Sequence, residues 1–317
     1  MTSDTKKLLI AHLSMAGACA FWGLMAPLGK DAMTHGLDGI TMVSFRVLGG
    51  ALLFWLTSLF VKKERVPLRD KIRFAGAGLL GLCFNQCCYT IGLSLTSPVN
   101  ASIVTTSMPI FAMILSAIIL KEKMTTMKVS GVLIGCLGAL ILVKASASAM
   151  SDKEGNLTGD LLCLGAQLSY ALYLSLFNPL VKRYSVFTVN KWMFLWATLF
   201  ILPFSSAHVI ETVSLGVPMK SWLEAFYVVF CGTYLGYILT MIGQHSLRPT
   251  VVSVYNYVQP TVSVTVSLIL GLAVLKYSHF LAILLVFTGV GMVIFARKGK
   301  RKGKMKKGKG KGKNKEY

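Results

Sequence analysis

Within residues 98–120, Ser102, Thr105, Thr106 and Pro109 follow the i, i+3, i+4, i+7 spacing of one helical face in an apolar stretch. The same spacing recurs 151 residues later as Ser253, Asn256, Tyr257 and Pro260. Hydroxyl, amide and phenol groups arranged this way suit hydrogen bonding to a polar solute. Each proline lacks an N–H and leaves the carbonyl four residues earlier without its helical donor. Both segments are therefore expected to kink near their middles, at Pro109 and Pro260, and to expose carbonyl oxygens beside these side chains. A second matched pair is Gln86 with Tyr89, whose mates at the same offset are Tyr237 and Thr240. Together with Trp22 and Tyr170 these residues outline an aromatic and polar cavity. The expected substrate-binding set is Trp22, Gln86, Tyr89, Thr105, Thr106, Tyr170, Tyr237, Asn256 and Tyr257. The competing role for such residues is packing between helices, and Ser102 and Ser253 fit that role best.

Nothing in the chain points to bond-making chemistry. There is no HExxH, no GxSxG and no pair of aspartates at helical spacing. His12, His35, His208, His245 and His279 are scattered, mostly near the ends of apolar runs, and the seven cysteines all lie inside such runs. No metal or cofactor is expected, and the chain does not read as an enzyme.

Charge narrows the solute. A charge at the middle of a bilayer costs at least about 2.5–3.5 kcal/mol, so one placed there usually has a task. Arg46 is the one clear case. It is expected to be a structural charge that pairs between helices or snorkels outward, with direct contact to a substrate carboxylate as the alternative. Phosphate-bearing substrates call for several Lys or Arg clamps, and the polar segments carry none. A cationic drug would suit a buried acid, and no Asp or Glu lies inside the first apolar segment. Asp31, Asp38, Asp160, Glu224 and Glu122 all fall near segment ends. That leaves no mid-membrane proton carrier and favours uniport or exchange.

The elements that must position these residues are helices in a membrane. The 317 residues are 54% hydrophobic and only 14% charged, with mean hydropathy +0.65. Ten runs are long enough, or nearly so, to cross a bilayer at about 20 residues each. They span roughly 8–29, 38–61, 72–95, 98–120, 128–145, 158–181, 188–206, 222–246, 251–275 and 279–296. Net charge is +21, yet its distribution speaks against nucleic acid. Of the Lys and Arg residues, 27 fall on the side of the N-terminus and 5 on the other, with Arg46 between. That asymmetry predicts cytoplasmic N- and C-termini, and the absence of targeting features suggests a bacterial inner membrane. The tail RKGKRKGKMKKGKGKGKNKEY has no apolar periodicity and is expected to be disordered, a topology anchor that also meets anionic lipid headgroups.

The 151-residue offset extends well beyond the polar stripes. It places Gly81 on Gly232, Gly92 on Gly243, Pro98 on Pro249 and Gly138 on Gly289, while an offset of 148 places Trp22 on Tyr170. Five helices per repeat is an odd number, so the second repeat must run opposite to the first across the membrane. The expected fold is all-α integral membrane, ten transmembrane helices in two inverted five-helix repeats around a midplane cavity. The expected division is 1–148, 149–296 and a basic tail at 297–317.

Four stretches carry a family resemblance: AFWGLMAPLGK, SFRVLGGALLFW, PIFAMILSAIILKEKMTTMKVSGVLIGCLGALILV and GDLLCLGAQLSYALYL. Together they resemble EamA-type repeats of the drug/metabolite transporter superfamily over about residues 10–296. The resemblance implies a ten-helix fold with a central cavity and, often, export of amino acids, metabolites or drugs. The second repeat departs from the pattern, because Ala273 stands at the mate of Glu122 and no Arg answers Arg46. The expected function is export of small neutral or zwitterionic metabolites such as amino acids, by alternating access. A lipid translocator or a non-transporting membrane scaffold is the alternative, with cationic drug efflux behind both. The expected partners are a small-molecule solute and membrane lipids.

Overall fold

The computed structural model describes residues 3–96, 101, 104–147, 157–214, 216–269 and 277–296. Ser102, Ala273, the junction at 148–149 and the basic tail lie outside the described residues. Every regular element among the described residues is helical. In chain order these are α1 (Ser3–Thr34), α2 (Gly39–Ser58), α3 (Leu68–Leu95), α4 (Met108–Ile119) and α5 (Thr126–Ala147). The second repeat supplies α6 (Leu157–Leu176), α7 (Val186–Ser214), α8 (Met219–Ser246) and α10 (Tyr277–Phe295). Between the last two, α9 is built of three pieces, Pro249–Val254, Tyr255–Tyr257 and Val258–Ile269. The seventh apolar run was expected to end near 206, but the helix continues through Pro203 to Ser214.

Local signals start the helices symmetrically. Asp38 caps α2 by accepting the Thr41 N–H at 2.7 Å, and the Ser185 hydroxyl accepts the Thr188 N–H ahead of α7 at 3.3 Å. Pro249 opens α9 at a position where a missing N–H costs nothing.

Packing is symmetric as well, and the first helix of each repeat crosses over to the other. α1 lies against α8 and α9, and α6 lies correspondingly against α3 and α4. A Cβ on Gly243 would stand 2.4 Å from the Met15 sulfur, and one on Gly92 would stand 2.7 Å from the Cys163 sulfur. Met15 and Cys163 are themselves mates at the 148-residue offset. α2 packs on α7 and α5 on α10, each helix meeting its own counterpart. The α5–α10 seam is close enough that a Cβ on Gly289 would lie 2.5 Å from the Gly135 nitrogen. In a membrane, where lipid competes equally for apolar surface, such backbone approach is what joins helices.

The two prolines act differently from the expected mid-helix kink. Pro109 falls in the first turn of α4, and the chain breaks into a turn at Thr106–Ser107 just before it. Pro260 lies within α9, but the distortion is the 3-10 turn Tyr255–Tyr257 that precedes it. The prolines begin fresh helical pieces, and the irregular backbone lies on their N-terminal side.

The C-terminus of α4 carries a strained residue. Lys121 is the one non-glycine residue with positive φ, at 50°, among the described residues. The Glu122 N–H closes the turn on the Ser116 carbonyl at 3.0 Å. Glycine is the usual residue at such a helix end, because a Cβ there crowds the following carbonyl. Lys121→Gly is therefore expected to stabilise the protein by about 1 kcal/mol, read as a higher Tm of the purified protein in detergent. An unchanged or lower Tm would show that the lysine contributes more through its contacts than it loses in backbone strain.

Candidate functional site

α3 and α8 each widen into a π turn, at Leu79–Phe84 and Val228–Leu235. A π turn adds a residue to the helical repeat and releases carbonyls from the regular ladder. Side chains from α1 and α6 take up that capacity. Trp22 Nε1 donates to the Gly232 carbonyl at 2.8 Å, and the Ser169 hydroxyl donates to the Leu80 carbonyl at 2.7 Å. Immediately after each π turn come the residues that meet at the centre, Asn85 and Gln86 on α3 and Gly236 and Tyr237 on α8.

Gln86 Nε2 donates to the Tyr237 hydroxyl at 3.1 Å. These two residues are mates at the 151-residue offset, so their bond spans the pseudo-two-fold axis. Around it is a cavity of about 90 Å³ lined by Trp22, Met25, Arg46, Asn85, Gln86, Tyr89, Thr105, Gln167, Tyr170, Tyr237, Asn256 and Gln259. It is smaller than the ~300–1,000 Å³ of ordinary ligand pockets. Trp22 meets Tyr237 edge-on at 6.2 Å between centroids, and Phe194 meets the same ring edge-on at 5.2 Å. A larger cavity of about 500 Å³ lies apart, on the face that carries the Lys-rich connections.

Most of the residues expected from sequence line the central cavity: Trp22, Gln86, Tyr89, Thr105, Tyr170, Tyr237 and Asn256. Two do not. The Tyr257 hydroxyl donates to the Val132 carbonyl on α5 at 3.1 Å, and a Cβ on Gly135 would lie 2.6 Å from its ring. Thr106, the mate of Tyr257 at the 151-residue offset, lies just before α4 and is buried, 3.9 Å from the Cys136 sulfur of α5. Both belong to packing against α5. Asn85, Gln167 and Gln259 line the cavity but were missed. Their mates are Gly236, Cys19 and Met108, so a search for positions polar in both repeats passes over them.

Arg46 is the most consequential group. It is 6% exposed, and its Nε donates to the Thr233 hydroxyl, in the second π turn, at 3.1 Å. Among the described residues no carboxylate forms an ion pair with it, and none lines the cavity. Arg46 thus links α2 to α8, as expected of a structural charge, and also lines the cavity. Close by, the Gln86 Oε1 is buried with no hydrogen-bond partner. A buried cation without an acid and a buried acceptor without a donor are each costly, and both are relieved by a ligand carrying the complementary groups.

At both ends of the bundle, polar links tie one repeat to the other. On the basic face Asp70 accepts from Arg183 at 2.8 Å and from Tyr184 at 2.6 Å, and Glu64 accepts from Ser185. On the opposite face Lys220 pairs with Asp31 at 2.7 Å, and Thr96 donates to Asp160 at 2.7 Å.

A membrane-embedded pair of helical repeats enclosing such a cavity defines a solute transporter. The chain belongs to the EamA-like transporter family, which matches residues 9–144 and again 157–295. It is 23% identical over 296 residues to the uncharacterized transporter YetK of Bacillus subtilis, covering 92% of this chain and 89% of that one. It is 24% identical over 227 residues to a probable amino-acid metabolite efflux pump of Salmonella typhimurium, covering 68% and 72% of the two chains. A solved crystal structure superposes with a TM-score of 0.71 at 19% identity, over 93% of this chain and 98% of the other, which shows the fold alone.

Proposed function

We propose that the protein exports small zwitterionic metabolites of the amino-acid type. The observation that carries this reading is Arg46, buried in the cavity wall with no acid beside it among the described residues. A substrate carboxylate supplies the missing anion, held by the guanidinium fork. The substrate ammonium then lies against the Gln86 Oε1 and the faces of Tyr89, Tyr170 and Trp22. A substrate of zero net charge leaves no charge for the protein to neutralise elsewhere. This agrees with a cavity lined by amides and rings, and with uniport or exchange. The name of the Salmonella relative points to the same substrate class. The excess of Lys and Arg on the face of the N-terminus supports cytoplasmic termini and a bacterial inner-membrane location.

The test is counterflow in proteoliposomes loaded with an amino-acid mixture, with competition by the matching amines and amides. Amino acids are expected to exchange and to compete, whereas analogues lacking the carboxylate compete at least about tenfold more weakly. Equal competition by the decarboxylated amines would remove Arg46 from substrate recognition and the zwitterion from the reading.

A further inference from the structure

The larger cavity, of about 500 Å³, shares no lining residue with the central one. It opens on the basic face, where the α4–α5 connection meets the start of α9 and the end of α10. Five cations line it: Lys121, Lys123, Lys128, Lys182 and Arg248. Among the described residues Glu122 is the single acid in its wall, and it is already engaged. Its Oε1 accepts from the buried Lys128 and lies 3.6 Å from Arg248 Nη1, and its Oε2 accepts from Thr250 at 3.1 Å. The cavity therefore holds a large surplus of positive charge over the one acid present. The rest of the wall is Leu120, Pro249, Val251 and Ala296 together with the polar Thr125 and Asn178.

We propose that this cavity binds a phosphate-bearing anion, the headgroup of an anionic phospholipid. Several cations around one engaged carboxylate call for an anion of more than one oxygen, and phosphate matches both ammonium and guanidinium donors. The depth favours a lipid as the carrier. The cavity sits where transmembrane helices end, with aliphatic walls beside the charges, and basic pockets between helices at that level suit anionic headgroups. Lys121 fits the same picture, because its strained backbone keeps a lysine at the rim where glycine would fold more easily. The bound anion would share Lys128 and Arg248 with Glu122. Glu122 on the first repeat meets Thr250 and Arg248 on the second, so occupancy bears on the contact between the two halves.

The experiment measures the Tm of the purified full-length protein in a neutral detergent against three probes. These are dioctanoyl phosphatidylglycerol, dioctanoyl phosphatidylcholine and inorganic phosphate. A saturable rise with phosphatidylglycerol, absent with phosphatidylcholine, is expected. In Lys121→Gln/Lys123→Gln/Lys182→Gln its half-saturating concentration should increase about a hundredfold, at about 1 kcal/mol for each of the three lysines. Changing Lys304, Lys306, Lys307 and Lys309 of the tail to glutamine should leave it in place. A comparable rise with inorganic phosphate would keep the phosphate site and make free phosphate its source. No rise with either anion, an equal rise with phosphatidylcholine, indifference to the triple substitution, or loss on changing the tail would each overturn the proposal.

Discussion

Arg46→Gln is expected to lower the apparent affinity for an amino-acid substrate about a hundredfold while leaving the protein folded in the membrane. Removing one partner of a buried, hydrogen-bonded charge pair costs about 2–5 kcal/mol, and 3 kcal/mol is a little over two powers of ten. The pair in question forms only when the substrate carboxylate arrives, because no acid pairs with Arg46 among the described residues. In the empty protein the guanidinium is a burden, so its removal should leave Tm unchanged or raise it. A structural arginine predicts the reverse, with lower stability and little change in substrate preference. Arg46→Lys separates charge from geometry: it keeps the cation but loses the planar fork, and should fall between the two. Counterflow and Tm measured on the same preparations decide the matter. Wild-type exchange by Arg46→Gln would sink the recognition role.

Glu122→Ala is expected to cost about 3–5 kcal/mol of stability, the usual penalty for leaving one member of a buried ion pair alone. The side chains of Glu122 and Lys128 are 3% and 5% exposed, so little solvent is available to rescue the orphaned ammonium. The loss should appear as a lower Tm and a smaller yield of protein in the membrane. Lys128→Met in the same chain should recover most of it, because a matched apolar pair has no charge to strand. If the double variant is no more stable than Glu122→Ala, the stabilisation comes from the Thr250 and Arg248 contacts instead. That would make Glu122 a tie between repeats more than a partner of Lys128.

The fold was legible because membrane helices announce themselves by length and because the sequence repeats itself. The repeat also located the cavity, since a position polar in both halves of a two-fold structure tends to lie near the axis. It misled where helices are irregular. Counting i, i+3, i+4, i+7 assumes an unbroken α-helix, but the chain turns at Thr106–Ser107 and tightens to 3-10 at Tyr255–Tyr257. Thr105 and Asn256 keep the cavity side, while Thr106 and Tyr257 face α5. The deviation is the same in both repeats, so comparing them could not reveal it. Asn85, Gln167 and Gln259 were hidden for the opposite reason, each having a small or apolar mate. The two π turns leave no compositional trace, because leucine, glycine and cysteine in LLGLCF serve equally well in an ordinary helix.

The hydrogen bond between Gln86 and Tyr237 joins two copies of one ancestral position. In a dimer of identical halves that position would have faced itself, and only a side chain that both donates and accepts could have satisfied its twin there. With both halves carried on one chain, the two copies are free to differ. One became an amide with an acceptor to spare, the other a phenol with an aromatic face. A site symmetric about the axis would present two equal ends; the Gln86–Tyr237 pair makes the two ends of this one chemically different.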